Sequence, residues 1–584
     1  MPIKPVGLGA GNKFTVADDG SALTGLDAGA LVGEVPLANG GLGTDASALA
    51  DGLVTKSMGL MSTTTEVTAT IQGTHQNGVA MSDVGIDEFD NLTVNLANPL
   101  SLYGEVITIQ PTPRVQIDAA YGILTTDHET LTDGVTGSVT GSTAPLFVCQ
   151  TGTAAGGYGV LRSRRVVRCR PGQACRLNFS AMFTAGIATS YQLAGGFNAT
   201  DGMFFGYNGA AFGCGRRDAG AVAIWRLTVT AGTTGAETLT VRLNGTNFSV
   251  AAGAGLATDA VARVIAAYST YTGWASLVSP TANGSTVTFL QSNPAATVGT
   301  FTLTSTGTAT GTFAELQAGA PNVFGAGWTA QTAWNRDRLD GSNGALNPSG
   351  MLLDPTKLNA YAIAYPANGV GMIRFMVATP LSNYVTVHVA PYASLYTVPS
   401  VKNPVFRVGW ISESLGSTTN LTVSGGSAGA TLQGRREIMR DPNGKSEVFT
   451  GVTTSELIYF AIRNRAEFAS RVNQRQLLPQ TGDITVETAN RIGRARFLVN
   501  PTFTTPPNWQ YVAQGSSSVE YATISAGAAF TGGTEVAAKD AVAQSSVNLA
   551  ALDLRLEPGD VLAVALRTAS STATISTPLN WHED

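Results

Sequence analysis

Short runs of alternating apolar and polar residues, each cut off by a turn, recur along this chain from residue 66 onward. Glu66–Gln72, Gly104–Gln110, Glu237–Leu243 and Tyr384–Val389 have the two-residue period of a strand with one buried face. Pro171-Gly172, Asn208-Gly209, Asn244-Gly245, Asn283-Gly284 and Pro558-Gly559 are turn dipeptides. The clearest stretch, Asp553–Arg567, reads as strand, Pro558-Gly559 turn, strand. Such strands bury their apolar faces by stacking sheet on sheet. The sequence therefore predicts a mainly β protein: multi-domain β-sandwiches, jelly-roll-like, with a small α+β ββαββ insert and a mostly irregular N-terminal segment.

The 584 residues correspond to about four domains at ~150 residues each. Changes of pattern divide them into an attachment and oligomerisation segment (1–65), the first part of a β domain (66–225), an inserted module (226–316), the second part of the β domain (317–425) and a C-terminal β-sandwich (426–584). In the insert, Thr258 is expected to cap a helix with Val261, Val264, Ile265 and Tyr268 on one face. In the first segment, Thr44 is a good N-cap, and Ala46, Leu49, Ala50 and Leu53 share one helical face before Gly52 can end the helix. A helix this short needs a neighbour. The simplest is copies of itself from other subunits, so these four residues are the expected oligomerisation contacts.

Only 13% of the residues are charged, against about 25% in ordinary soluble domains, and 67 are glycine. A neutral surface suits a rigid part packed into an assembly. The net charge of −5 calls for neither nucleic acid nor an anionic membrane, and no apolar run is long enough for a spanning helix. Met1-Pro2-Ile3-Lys4-Pro5 opens without an apolar signal region, so assembly in a cytoplasm is expected. The four histidines and four cysteines have no zinc-like spacing. If Pro171-Gly172 is a two-residue hairpin loop, Cys169 faces Ala174 instead of Cys175, and free thiols are expected. No cofactor is called for.

No catalytic residues emerge. Asp87, Glu88 and Asp90 are neighbours on a loop, whereas glycan-cleaving carboxylates lie about 5 to 9 Å apart across a cleft. Asp337, Asp340 and Asp354 lie in or near a glycine-rich loop with some calcium-loop character but no closing glutamate, so a metal there stays open. Arg162, Arg164, Arg165, Arg168, Arg170 and Arg176 form the densest basic run. Alternation puts Arg164, Arg168 and Arg170 on one strand face, expected to be exposed or to meet carboxylates of another subunit. Arg463, Arg465, Arg471 and Arg475 take the same reading. Tyr191, Phe204, Phe205, Tyr207, Trp225, Trp274, Trp328 and Trp334 are expected in cores.

An ordered series of short motifs adds a resemblance. It runs through Phe183-Thr184-Ala185-Gly186, Gly202–Gly209, Trp225–Val229, Trp334-Asn335, Asp340-Gly341, Pro348–Met351, Leu353–Lys357, Gly371–Phe375, Val387–Val389, Asn403-Pro404 and Ile462–Arg465. Over residues 160 to 565 this resembles a family of virion structural proteins of tailed phages and some large DNA viruses. Gly40-Gly41-Leu42-Gly43-Thr44, with Gly52-Leu53 beyond it, is similar to a short repeat near the N-termini of phage tail fibres. No long heptad or β-helical shaft follows, so a compact spike or short fibre is expected. The resemblance implies a non-enzymatic tail fibre or baseplate-attached spike: a homotrimer, bound to other tail or baseplate proteins through its N-terminal segment and contacting a host-surface glycan or protein. A capsid decoration protein and a host-glycan depolymerase are the rival readings.

Overall fold

The computed structural model describes residues 111–584, except 134, 142–144, 218, 269–277, 292–293, 325–326, 368 and 434–440, together with two short strands, Gly85–Ile86 and Leu92–Thr93. The helix expected at 44–53 with Ala46, Leu49, Ala50 and Leu53, the strands expected at 66–72 and 104–110, and Asp87–Asp90 lie outside the described residues. The chain divides into two compact units, Met1–Pro99 and Leu100–Asp584; the second is described here. It is mainly β, and all its strand pairings are antiparallel. Among the described residues no helix is long and apolar enough to cross a membrane.

The first sandwich stacks an eight-stranded on a nine-stranded sheet. The eight-stranded sheet runs Trp328–Ala330, Ala211–Arg216, Gly202–Asn208, Ser190–Phe197, Val405–Ser414, Tyr158–Ser163, His128–Thr132, with Val167–Arg168 also on Val405–Ser414. The nine-stranded sheet runs Tyr384–Ala390, Ile373–Ala378, Asn359–Pro366, Ala174–Phe183, then forks. One branch passes to Thr422–Gly425, Phe147–Gln150 and Ser138–Gly141, the other to Ser427–Gln433 and Thr112–Asp118. Ala174–Phe183 explains the packing: Cys175, Leu177, Phe179, Ala181 and Phe183 all point into the core while the residues between them are mostly half-exposed. Facing them are Met203, Phe205, Phe406, Val408 and Trp410. The Trp410 indole N–H donates to the Ser180 carbonyl at 2.9 Å, so this large ring is buried without an orphaned donor.

Ser190–Phe197 is buried on both faces. A second cluster of Tyr191, Leu193, Phe197, Phe204 and Phe324 covers its outer side. Close strand approach here requires Gly206, whose φ is +144° and where an added Cβ would lie 1.9 Å from the Gln192 carbonyl oxygen. Gly206→Ala is expected to cost about 2 kcal/mol or more. A melting-temperature loss of several degrees by calorimetry checks it; an unchanged midpoint contradicts it.

Among the described residues the inserted module contains seven strands and one helix, more than the ββαββ pattern read from sequence. Ile224–Ala231 and Thr310–Gln317, where the chain enters and leaves, pair with each other and close the module on itself. Its four-stranded sheet is ordered Val278–Asn283, Thr286–Leu290, Ile224–Ala231, Thr310–Gln317, and its three-stranded sheet Thr246–Ala252, Glu237–Leu243, Thr302–Ser305. The helix Thr258–Ala267 buries Val261, Ala262 and Ile265 against Leu227, Val241 and Phe289. Ala257, not Thr258, is the N-cap: it has the extended backbone a cap needs, and no side chain caps the helix.

The C-terminal sandwich has jelly-roll order. One sheet runs Asp441–Val452, Ala573–Glu583, Leu477–Val486, Gln544–Asn548. The other runs Leu457–Asn464, Val561–Thr568, Gly493–Val499, Thr534–Ala541, and Val519–Ala528 extends it at the Leu457–Asn464 edge. Phe460, Ile462, Phe497, Val564, Ile575 and Trp581 fill the space between.

Two local expectations are corrected. Cys169 and Cys175 are joined in a disulfide, with Cα atoms 6.2 Å apart, while Cys149 and Cys214 are buried free thiols. The turn exists, since the Gln173 N–H donates to the Arg170 carbonyl and Gly172 has φ +86°. Its flanks do not pair as a hairpin, however: Val167–Arg168 joins one sheet and Ala174–Phe183 the other. Cys169 is therefore free of hairpin register and reaches Cys175. Asp553–Glu557 forms no strand. A 3-10 turn ends at Asp553, in the left-handed region, and only Leu556 bridges, to Leu477.

Candidate functional site

Charge is concentrated where the three modules meet. Glu129 and Arg162 are cross-strand partners, and the Glu129 carboxylate accepts from Arg162 at 2.8 Å and from Arg407. Burial alone would push this carboxyl up, but the two guanidinium groups override it and hold it well below the usual carboxylate range. Strand pairing to His128–Thr132 ends at Ser163, so the arginines that follow run along the junction instead of down one strand face. Arg164 pairs with Asp560; Arg168, at 3.6 Å, and Arg170 both pair with Asp584. The structure thus brings Arg164, Arg168 and Arg170 together, but against carboxylates of the same chain. These pairs form a seam between the two sandwiches.

The second run also turns inward. Arg463 pairs with Glu520, stacks on Trp509 at 4.3 Å and donates to the Ala282 carbonyl of the insert at 3.2 Å. Arg465 pairs with Glu467 at 3.3 Å and stacks on Tyr511. Arg226 of the insert reaches the same Glu467 at 2.8 Å. Arg475 pairs at 3.1 Å with Glu583, whose carboxylate also accepts from Ser517, Ser518 and Asn443. Arg471 is exposed. Sequence reasoning found the arginines because they cluster; it missed Glu129, Glu520, Asp560, Glu583 and Asp584 because they are scattered along the chain.

Between these clamps lies a cavity of about 90 Å³ lined by all three modules, including Glu129 and Arg407, Gln291, and Asn473 and Glu557. Burial pushes the Glu557 carboxyl up to about 7. Its Oε1 accepts from Gln476 at 2.6 Å and its Oε2 has no protein partner. One carboxyl raised and one lowered is the electrostatic pattern of an acid–base pair. Here Glu129 is held by two arginines of its own sandwich, and the space fits about three waters, well below the ~300 Å³ of a small-molecule site.

The other sequence candidates serve local structure. Asp337, 1% exposed, accepts from the Leu339 and Ser349 N–H groups. Asp340 closes its turn on Ser342 and Asp354 on Thr356. Among the described residues no group of three or more His, Cys, Asp or Glu side chains could hold a metal ion. Tyr191, Phe204, Phe205 and Trp334 are buried, and Tyr207, Trp225 and Trp328 half-buried; Trp274 lies outside the described residues. Of the twenty exposed large hydrophobic residues described, ten fall between Leu346 and Val398 in the sequence.

No protein-family model and no curated protein matches the sequence. Among solved structures, the metal-free lectin I-B4 from Griffonia simplicifolia aligns with 55% of this chain and 99% of its own, at 11% identity and a TM-score of 0.21. Lectin UEA-II complexed with galactose aligns with 56% of this chain and 99% of its own, at 8% identity and a TM-score of 0.18. Likeness at those scores carries no argument about fold or ligand.

Proposed function

We propose that this chain is a non-enzymatic structural protein of a tailed-phage virion, a tail fibre or baseplate-attached spike that contributes to host attachment. The motif series from 160 to 565 supports the virion. The observation that carries the structural role is the use of charge: in a chain poor in ionisable groups, arginine–carboxylate pairs tie the C-terminal sandwich to the first sandwich and to the insert. Such a part resists bending at its joints. A homotrimer attached through residues 1–65 fits this reading.

Gold-labelling the protein on intact particles, with quantitative mass spectrometry of purified virions, tests the proposal. Label on the tail, and a copy number equal to that of a trimeric tail component, is expected. Label over the whole shell at capsid-protein stoichiometry overturns it in favour of a decoration protein.

A further inference from the structure

The strand Asp441–Val452 lies at an edge of the C-terminal sandwich and, among the described residues, pairs on one side only, with Ala573–Glu583. The register is continuous from Asp441 opposite Glu583 to Phe449 opposite Ile575. Two prolines show which way the peptide groups point. Pro442 stands opposite His582 and Pro578 opposite Ser446, two positions of the same parity. A proline has no N–H to give to a ladder, so at this parity the N–H groups are not used between the two strands. The N–H and C=O groups of Gly444, Ser446 and Val448 therefore point outward from the sheet, along an edge that no other described strand pairs with.

The side chains alternate along this edge. Pro442, Gly444, Ser446 and Val448 are exposed, Val448 at 53%, whereas Asn443, Lys445 and Glu447 are half-buried and Phe449 enters the core. The Lys445 ammonium lies 4.5 Å from the centroid of Tyr521, on the facing sheet, and pairs with Glu447 at 3.0 Å. Inward-facing charge ordinarily keeps an edge from pairing, since a neutral incoming strand would bury it without a match. A second copy of this strand supplies the match. Antiparallel pairing about a two-fold axis at Ser446 sets each Lys445 opposite the Glu447 of the other copy. Centring on Lys445 or Glu447 sets like charges face to face, and centring on Gly444 or Val448 gives neither residue a countercharge.

We infer that this edge is a self-association surface, on which a second copy of the chain adds its own Asp441–Val452 strand, antiparallel and centred on Ser446. Ser446 then exchanges both backbone hydrogen bonds with its own copy, and Gly444 does so with Val448, whose exposed side chain covers the bare glycine. The two lysines and two glutamates form an alternating, neutral set. The contact is isologous, so it closes on two chains and leaves no edge of this strand for a third. The inference goes beyond the attachment reading and does not rest on it: with a homotrimer, the pairing joins each chain to one of a second trimer.

Sedimentation velocity on the full chain, over a wide range of concentration, tests it. The wild-type assembly should hold an even number of chains. Lys445→Glu sets carboxylates opposite one another at both positions and should weaken the pairing about tenfold, so that the mass halves on dilution. Lys445→Glu combined with Glu447→Lys restores opposite charges and should bring the pairing back to within about threefold of wild type. Ser446→Cys should give a disulfide-linked dimer on mild oxidation, because directly bonded antiparallel partners have Cα atoms about 5.5 Å apart. Val448→Cys, whose register partner is Gly444, should not. The Ser446→Cys result decides alone if Lys445→Glu lowers the melting temperature. A wild-type assembly that is monomeric or odd-numbered at every concentration overturns the inference. So does pairing that a folded Lys445→Glu variant leaves unchanged, or a paired Ser446→Cys chain that does not cross-link. The attachment reading is judged by label position on the particle, so the two fail separately.

Discussion

Arg463→Met is expected to destabilise the protein by about 3–5 kcal/mol, the cost of leaving a buried charge without its partner. The side chains of Arg463 and Glu520 are 10% and 6% exposed, so water cannot replace the lost guanidinium. The substitution also removes the donor to Ala282, and Glu520 would keep only Asn283, at 2.6 Å, and the more distant Arg465, at 3.9 Å. Because Ala282 and Asn283 belong to the insert, faster hydrogen exchange in Thr281–Leu290 should accompany the loss. Urea unfolding measures the stability. Arg463→Met with Glu520→Gln should recover much of it, since the orphaned charge is then gone. A single-variant loss below about 1 kcal/mol contradicts the assignment, that being the scale of an exposed pair.

Stability should also fall as pH rises from about 5 to 8, and Glu557→Gln should flatten this dependence. The folded Glu557 carboxyl sits near 7, above its ordinary 4.5, because burial penalises its charged form. A raised carboxyl favours the fold while protonated. Its contribution is complete below the unfolded value and is lost as pH climbs through the folded one. The difference of about 2.5 units corresponds to roughly 3 kcal/mol as an upper bound. Arg407 and Arg164 oppose the rise, the Gln476 hydrogen bond opposes it too, and Asp560 reinforces it. Glu129 acts in the opposite sense: its carboxyl is held low, so its contribution is present above its unfolded value and disappears under strong acid. Denaturant midpoints across pH 5 to 8 decide the matter. A flat wild-type profile, or equal slopes for wild type and Glu557→Gln, rules out Glu557 as the source.

Local chemistry made much of the fold readable. Alternation in Ala174–Phe183 places five residues in a core, and Asn244-Gly245 forms its hairpin because both residues adopt positive φ, as that turn demands. Strand order was not readable. Nothing in the spacing of Asp441–Val452 and Ala573–Glu583 announces that they pair. The disulfide was misread because a turn was equated with a hairpin, although its two flanks join different sheets. The seam was half readable. Clustered arginines stand out, whereas carboxylates drawn from both ends of a 584-residue chain do not.

The jelly-roll order has a consequence for synthesis. Ala573–Glu583 sits between Asp441–Val452 and Leu477–Val486, which do not pair with each other. During translation both of those strands leave the ribosome with open edges and wait for the strand that joins them. Contacts of such long sequence separation form slowly, and unpaired edges invite association with other nascent chains. The domain reaches its native pairing only after residue 583 has emerged.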